Sequence, residues 1–492
     1  MSSIITLNGN VVTVSGSALT TESGEGGGGV QEKLVNFIDY DGTLLYSYDA
    51  TEFANLTNLP ANPTHSRLTA QGWNWTLAQI TAQLTAMPNQ KVWVGQMYTT
   101  VSGATEIDIT LDDSRYLSPA LHCSPNGTVI IDWGDGSNTN TVTGTSLSTR
   151  KFTTHNYATT GNYTIKITVS SGTVGLYGGN SVMGLMVISS SYARTRVYSR
   201  CVNHVYIGQN TKISPYAFTN CFNLSEITIP TGAGQDNSGI GYGTYVFNYC
   251  YNLKCVVIPK DITKIEDAPF YQCSGLNKVS LPASITRILS SAFYNCYDLA
   301  AITIPHGVTE IGNNAFSTNL SLTSLIMPST ITNYGTSVFS SCYGLKAITL
   351  TGNVTTIGDY FFSNCYLLEN AVLPSSLTSL GRNTFYSCYY LPAITIPSTV
   401  TSIGQYAING AWSLTNLTIP SAVTSIAASA FGNCYSLGEI HFKPTTPPTV
   451  DNSDAFSNLP TDCIIYVPSG KLSAYTSATN YPSSSTYTYI EE

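Results

Sequence analysis

From about residue 200 onward, apolar side chains fall into columns that recur every 23 positions. Cys250, Cys273 and Cys296 stand at that spacing, as do Cys342, Cys365 and Cys388, and Asn319, Ala411 and Cys434 keep the register. Cys221 precedes Cys250 by 29 residues, the surplus lying in a glycine-rich insertion between Thr231 and Gly243. Three positions before the column residue stand Phe218, Phe247, Phe270, Phe293, Phe316, Phe339, Phe362, Phe385, Ile408 and Phe431. Three positions after it there is always leucine, from Leu224 to Leu437, and nine after it proline in eight of the ten repeats. A unit of this length cannot bury an apolar face alone, so the pattern predicts a solenoid in which stacked repeats share one core. Each repeat is expected to hold short strands, such as 302–304 and 308–311, with a turn around Ala315-Phe316. At roughly 4.8 Å per stacked strand, ten repeats make a rod about 50 Å long.

The patterning before residue 200 is different. Residues 34–40 and 44–48 are apolar-rich runs separated by Asp41-Gly42, a strong hairpin signal. Trp73, Trp75 and Trp93 are expected to fill the core of that unit, and 77–87 is its helical stretch. Further on, 129–137 predicts a strand entering a tight turn, and 155–167 a turn entering an alternating strand. The first 33 residues look like a tether: a β-compatible stretch from Ile4 to Val14, a polar stretch to Ser23, then a glycine run expected to act as a flexible hinge. The chain therefore divides into an attachment segment and hinge (1–33), a small β-rich unit (34–95), a sandwich (96–175), a linker or N-terminal cap (176–200), the repeats (201–443) and a C-terminal cap (444–492). The expected fold class is mainly β and multidomain.

Composition narrows the function. Of 492 residues 42% are hydrophobic but only 10% charged, against roughly 25% charged in ordinary soluble domains. No window reaches the roughly 20 continuous apolar residues of a spanning helix, so membrane insertion is not expected. The 33 Tyr and 16 Phe supply ample core material and argue against wholesale disorder. A net charge of −8, with no Lys/Arg run, argues against a nucleic-acid partner. The residues after Met1 show no basic region followed by an apolar stretch, from which export by the general secretory route is not expected.

The string from Ala292 to Pro305, Ala-Phe-Tyr-Asn-Cys-Tyr-Asp-Leu-Ala-Ala-Ile-Thr-Ile-Pro, resembles the BspA-type leucine-rich repeat, and 455–468 resembles that family's capping repeat. Trp133-Gly134-Asp135-Gly136, with the later His155-Asn156-Tyr157 and Gly161-Asn162-Tyr163, resembles the PKD-type immunoglobulin-like sandwich. The stretch from Val35 to Thr43, with Gly72-Trp73, is faintly similar to the internalin B-type β-grasp unit. These resemblances imply spacer or adhesion modules carrying a leucine-rich-repeat rod.

Candidate chemistry is sparse. Eight of the twelve cysteines (Cys221, Cys250, Cys273, Cys296, Cys342, Cys365, Cys388 and Cys434) occupy one column that also accepts Asn319 and Ala411, which marks a small interior position and a structural role. No Cys-x-x-Cys exists and the six histidines are scattered, so no metal or other cofactor is expected. Nucleophile elbows, His-Glu-x-x-His and phosphate-binding loops are missing, so no catalytic residue and no enzyme activity are expected. Asp132 and Asp135, close in a Trp-Gly-Asp-Gly turn, are expected to hydrogen-bond the backbone.

One column exceeds what a solenoid needs. The residue after the column cysteine is Tyr251, Tyr297, Tyr343, Tyr366, Tyr389, Trp412 or Tyr435, with Phe222, Ser274 and Leu320 in the other three repeats. Alternation with the inward Cys and Leu turns this position outward, so stacking predicts an aromatic ladder along one edge. It serves either as structural stacking or as a strip for a host-surface protein or glycan. The expected function is non-enzymatic adhesion. The setting expected from the sequence is a bacteriophage virion, as a head decoration or tail fibre held to other virion proteins by the N-terminal segment; the alternative is a bacterial cell-surface adhesin. Self-association into a homo-oligomer is compatible with either.

Overall fold

The computed structural model describes residues 32–111, 116–117, 119–145, 150–177, 199–233 and 244–492, and before them only the backbone of three strands. These are β1 (Ser3–Leu7), β2 (Asn10–Ser15) and β3 (Ala18–Glu22), an antiparallel β1-β2-β3 sheet that runs into the polar stretch expected to be tether. The expected glycine hinge and nearly all of 176–200 lie outside the described residues.

The small unit is a four-stranded sheet in the order β5-β4-β7-β6, built from β4 (Val35–Ile38), β5 (Leu44–Tyr48), β6 (Leu68–Trp73) and β7 (Val92–Thr100). The central pair β4 and β7 is parallel. Gly42 adopts φ 88° in the expected turn, a conformation that costs glycine nothing. Helix α1 (Ala50–Ala54) and helix α2 (Leu77–Ala86) each start with a capping box, Asp49 with Glu52 and Thr76 with Gln79. Five residues are too few to show a helical period, which is why α1 was not legible in the pattern. Val35, Phe37, Trp73, Trp75, Ile80, Val92 and Val94 form the core. Trp93 does not join them: with Val92 and Val94 inward, alternation turns it to the other face of the sheet, where its ring lies 5.8 Å from the Lys278 ammonium.

The next unit comprises β8 (Thr105–Leu111), β9 (Tyr116–Leu117), β10 (Ala120–Cys123), β11 (Thr128–Asp132), β12 (Asn140–Thr143), β13 (Arg150–Phe152), β14 (His155–Asn156), β15 (Gly161–Ser171) and β16 (Val174–Leu176). Asp132 accepts from the Gly134 N–H at 2.9 Å and Asp135 from the Ser137 N–H at 3.0 Å, so both carboxylates serve the turn. This unit flows directly into the solenoid. One sheet has the order β12-β11-β15-β8-β17-β19 and the other β13-β10-β16-β18, where β17 (Val202–Tyr206), β18 (Thr211–Ile213) and β19 (Glu226–Thr228) are the first solenoid strands. Pairing changes from antiparallel to parallel at β17–β19 and β16–β18. A solenoid's terminal repeat exposes both its core and its strand edges. Here the two-sheet unit covers them, and one hydrophobic core runs from Ile107 to Tyr475.

The C-terminal solenoid has about 12 turns. Two parallel sheets of very short strands line it, for example Lys278–Ser280 over Ala301–Ile302 and Arg287–Ile288 over Glu310–Ile311. Its third side is a ladder of turns, with Phe293 N–H donating to Ala315 O at 2.8 Å and Asn295 N–H to Ser317 O at 3.0 Å. Left-handed residues set its corners, among them Ser291 (φ 55°), Asn295 (φ 58°), Asn314 (φ 54°) and Asn364 (φ 61°). Asn and Ser recur there because their short polar side chains tolerate that conformation best after glycine. The strands are shorter than expected, Ala301–Ile302 and Glu310–Ile311, because Pro305 lacks the ladder N–H and the turn closed by Val308 N–H on Pro305 O takes up the residues between them. At the far end Ile464–Val467 and Thr488–Glu491 extend one sheet, and buried Tyr475 donates to Pro444 O at 2.7 Å.

The small unit packs on the flank of the solenoid, for a reason rooted in the proline column. Proline has no N–H, so the carbonyl facing it in the preceding repeat loses its ladder donor. Lys443, standing in the proline position, shows the bond at stake: its N–H donates to Ile419 O at 3.0 Å. At three of the prolines, Pro282, Pro305 and Pro328, the small unit supplies the donor instead. Asn74 Nδ2 donates to Ile258 O at 3.1 Å, Trp75 Nε1 to Leu281 O at 2.7 Å and Gln83 Nε2 to Ile304 O at 3.0 Å. Gln90 adds a bond to Ile326 O at 3.2 Å.

All three units meet at Arg67, which pairs with Glu106 (2.7 Å) and Asp108 (2.9 Å). Burial alone would raise the Asp108 carboxyl, but hydrogen bonds from His204, Arg67 and Thr164 outweigh it and hold the group well below the usual carboxylate range. The Asp108 hydrogen bond in turn raises His204.

Two outcomes follow from this packing. Gln83→Ala strands a buried carbonyl, and is expected to lower the protection of residues 35–100 against amide exchange by about 2 kcal/mol while the repeats beyond 400 are unaffected. The joint is expected to be tightest between about pH 4 and 6.5, using the unfolded values of Asp and His. Above that window, stability contributed by His204 is lost as pH rises through its raised folded value; below it, stability contributed by Asp108 is lost as pH falls through its depressed one. Denaturation midpoints across pH, with His204→Ala abolishing the upper slope, check this.

Candidate binding surface on the solenoid

The column residues form the inner wall of each turn. All twelve cysteines are free and buried. Cys250, Cys273, Cys296, Cys342 and Cys365 direct Sγ to within 3.0–3.1 Å of the carbonyl of Phe218, Phe247, Phe270, Phe316 and Phe339 respectively, each one repeat back. Cys388 and Cys434 do the same at 3.3 Å, to Phe362 and Ile408. Asn319 takes over with its amide, 2.9 Å from Phe293 O. The position therefore requires a small side chain and favours one with a donor, which explains an asparagine among cysteines; Ala411 fills it on size alone. Burial pushes the thiols up, Cys342 and Cys434 to about 12 and Cys250, Cys296 and Cys365 well above the ordinary value, so they stay protonated and can donate. Beside them the phenylalanines form a continuous stack from Phe218 to Phe385, with centroids 5.3–5.9 Å apart.

The next position lies outside. Tyr343, Tyr366, Tyr389 and Trp412 are stacked at 4.7, 4.9 and 4.0 Å with interplanar angles of 6°, 10° and 24°. Tyr435 continues the row but opens, at 6.1 Å and 46° from Trp412. Tyr251 stacks on Phe222 at 5.1 Å. Tyr297 stands between Ser274 and Leu320, so the ladder is one five-ring run and a shorter, broken stretch. Exposure is greatest at the far end of the long run, 46% at Trp412 and 55% at Tyr435 against 39% at Tyr343, and the Tyr366 and Tyr389 rings between them are half-buried.

One position further, Leu367 and Tyr390 are also exposed, Tyr390 at 58%. The sequence reading missed them because their column otherwise holds Asn223, Asn252, Gly275, Asp298, Ser321, Gly344, Ser413 and Ser436. A threonine column was also overlooked, though its 23-residue spacing was legible. In it Thr286, Thr309, Thr332, Thr378, Thr401, Thr424 and Thr449 each donate both N–H and hydroxyl to the preceding threonine carbonyl. No group of three or more His, Cys, Asp or Glu that could hold a metal ion is gathered among the described residues. No helix among them is long and apolar enough to cross a membrane.

Stacked parallel strands of two to four residues, an inward leucine in every turn and a cysteine or asparagine tied to the turn beneath define a leucine-rich-repeat solenoid. The pattern of the BspA type leucine rich repeat region matches six copies, over residues 194–238, 241–369 and 355–478, and the chain belongs to that family. Solved structures are similar over parts of it. A leucine-rich repeat protein from Bacteroides ovatus is 24% identical over 65% of this chain and 96% of its own, with a TM-score of 0.46. The leucine rich repeat protein of T. pallidum is 27% identical over 32% and 75%, with a TM-score of 0.29. A leucine rich cell surface protein from Faecalibacterium prausnitzii is 24% identical over 56% and 91%, with a TM-score of 0.32. No curated protein matches.

The column makes a quantitative statement about stability. Cys365→Ala is expected to cost about 1 kcal/mol, combining a small cavity with loss of the second bond to the Phe339 carbonyl, which keeps the Cys342 N–H at 3.2 Å, and Ala411→Cys to gain ~1 kcal/mol. Urea midpoints measure both, and in the native protein all twelve thiols are expected to resist alkylation at pH 8 until the chain unfolds.

Proposed function

We propose that this chain is a non-enzymatic adhesion protein displayed at a surface, and that the aromatic ladder from Tyr343 to Tyr435 is the strip that meets its ligand. The observation that carries this reading is a stacked row of five aromatic rings, exposed at Tyr343, Trp412 and Tyr435 and half-buried at Tyr366 and Tyr389, at a position where the same turn accepts Ser274 and Leu320. The fold does not demand aromatics there. Contiguous exposed apolar surface in a soluble protein marks an interaction site more often than chance, and Tyr and Trp are the residues that dominate binding hot spots. Display of repeated weak contacts gains strength through avidity.

Repeats of this family are non-enzymatic scaffolds, commonly in bacterial surface proteins. Display on a bacterial surface is the setting that agrees with this membership, with a host-surface protein or glycan as the partner. Fractionating the native source tests the setting, since recovery with phage particles in place of the bacterial envelope would reassign it to a virion.

Replacing Tyr343, Tyr366 and Tyr389 together by Ser is expected to reduce adhesion to the native target surface at least about tenfold. The comparison uses full-length protein with an unchanged circular dichroism spectrum. Undiminished adhesion by a folded triple variant overturns the reading.

A further inference from the structure

The ladder's rungs are not equivalent, and their geometry selects the class of ligand. Tyr366 and Tyr389 have a ring on each side, and Tyr343 and Trp412 each give one face to a neighbour in the stack. Inner rungs therefore offer solvent only edges and hydroxyls. The run ends differently. Between Trp412 and Tyr435 the planes diverge by 46° with centroids 6.1 Å apart, which opens a wedge where part of the Trp412 face and the Tyr435 face are free. These two rings are also more exposed than Tyr343, at the other end of the run.

Polar groups converge on the same end. Asn433 Nδ2 donates to Asn409 Oδ1 at 3.2 Å, Asn458 Nδ2 donates to Asn433 Oδ1 at 2.7 Å, and the Tyr435 hydroxyl donates to that same Oδ1 at 3.2 Å. The amide chain fixes Tyr435 in place and ends at exposed Asn458, whose Oδ1 and second amide proton point to no partner within the chain of amides. None of the side chains that build this corner is charged. Two divergent ring faces suit a ligand with an apolar C–H face, and amide groups suit its hydroxyls. The lack of cations disfavours carboxylates and sulfates, and a flat aromatic ligand would require parallel rings.

We propose that the wedge formed by Trp412 and Tyr435, with Asn433 and Asn458 at its rim, binds a neutral pyranose unit of a surface glycan. This rests on the ladder being the adhesive strip and assigns the ligand chemistry and the rung that reads it; Tyr343, Tyr366 and Tyr389 extend and stiffen the row.

Calorimetry on the full chain tests the assignment, with a panel of neutral oligosaccharides (gluco-, manno-, galacto-, fucosyl- and N-acetylhexosamine oligomers) and sulfated and uronic-acid oligomers as charged controls. At least one neutral oligomer is expected to bind. Tyr435→Ser or Trp412→Ala then weakens it at least about tenfold, whereas Tyr366→Ser changes it less than about twofold. Ligand-induced change in tryptophan emission is expected to vanish in Trp412→Phe, since Trp73, Trp75 and Trp133 are buried and Trp93 lies against Lys278 where the small unit meets the solenoid. Binding of no neutral oligomer overturns the assignment, as does unchanged affinity in folded Tyr435→Ser, tighter binding of the charged controls, or equal loss in Tyr366→Ser. Failure of the adhesive reading is separate: there the Tyr343/Tyr366/Tyr389 variant keeps full adhesion to the target surface. If that variant loses adhesion while no oligosaccharide binds, the strip stands and its ligand is not a glycan.

Discussion

Most turns of the solenoid are tied to the one before by a thiol or amide that donates to a phenylalanine carbonyl, beside a phenylalanine ring stacked on its counterpart; at Ile408 and Ala411 both elements lapse. Everything else hangs on this pair of columns. The ring stack fixes the repeat separation at 5.3–5.9 Å along its own line. The donor column adds a bond from the following turn to a buried carbonyl that already closes its own corner: Phe247 O accepts from the Cys250 N–H at 3.0 Å and from the Cys273 thiol at 3.0 Å, the second bond being worth about 1 kcal/mol. With the inner side of the turn held so closely, the next residue has one direction left, and eight aromatic side chains share it. The external ladder is thus a consequence of the internal one.

The same economy of hydrogen bonding explains the position of the small unit. Proline ends each strand cleanly and blocks further sheet extension, at the expense of a ladder donor. Asn74, Trp75 and Gln83 restore that donor at three consecutive repeats from outside the solenoid. Gly95 belongs to this contact too: a side chain there would run into Val257, so the strand behind the donors can approach the solenoid only because it is bare. The upstream units are therefore packed into one body with the repeats, with a shared core for the sandwich and a set of directed polar contacts for the small unit.

Much of this was legible in residue spacing. The repeat length, the inward columns, the outward aromatic position and the hairpin around Asp41-Gly42 all follow from periodicity, alternation and turn chemistry, which are local properties. Trp93 was misplaced because two faces of its sheet are covered and alternation cannot say which cover is the larger core. Tyr390 and Leu367 were invisible because a column of mixed residues carries no period. The donor role of the cysteines was hidden for another reason: size and polarity are both satisfied by Cys and Asn, and only the 3.0–3.1 Å approach to the carbonyl of Phe218, Phe247, Phe270, Phe316 or Phe339 separates them.

By itself the sequence determined that this is a repeat protein with a phenylalanine, cysteine and leucine interior and an aromatic edge. A column is an instruction that each repeat gives to its neighbour, and neighbours are known once the period is known. The tertiary structure alone decided how the array ends and what lies against it. The continuation of both sandwich sheets into β17–β19 and β18, the seating of Asn74 on Ile258 more than 180 residues away, and the opening of the ladder between Trp412 and Tyr435 depend on contacts between non-repeating parts. No spacing in the chain encodes those contacts, because each occurs once.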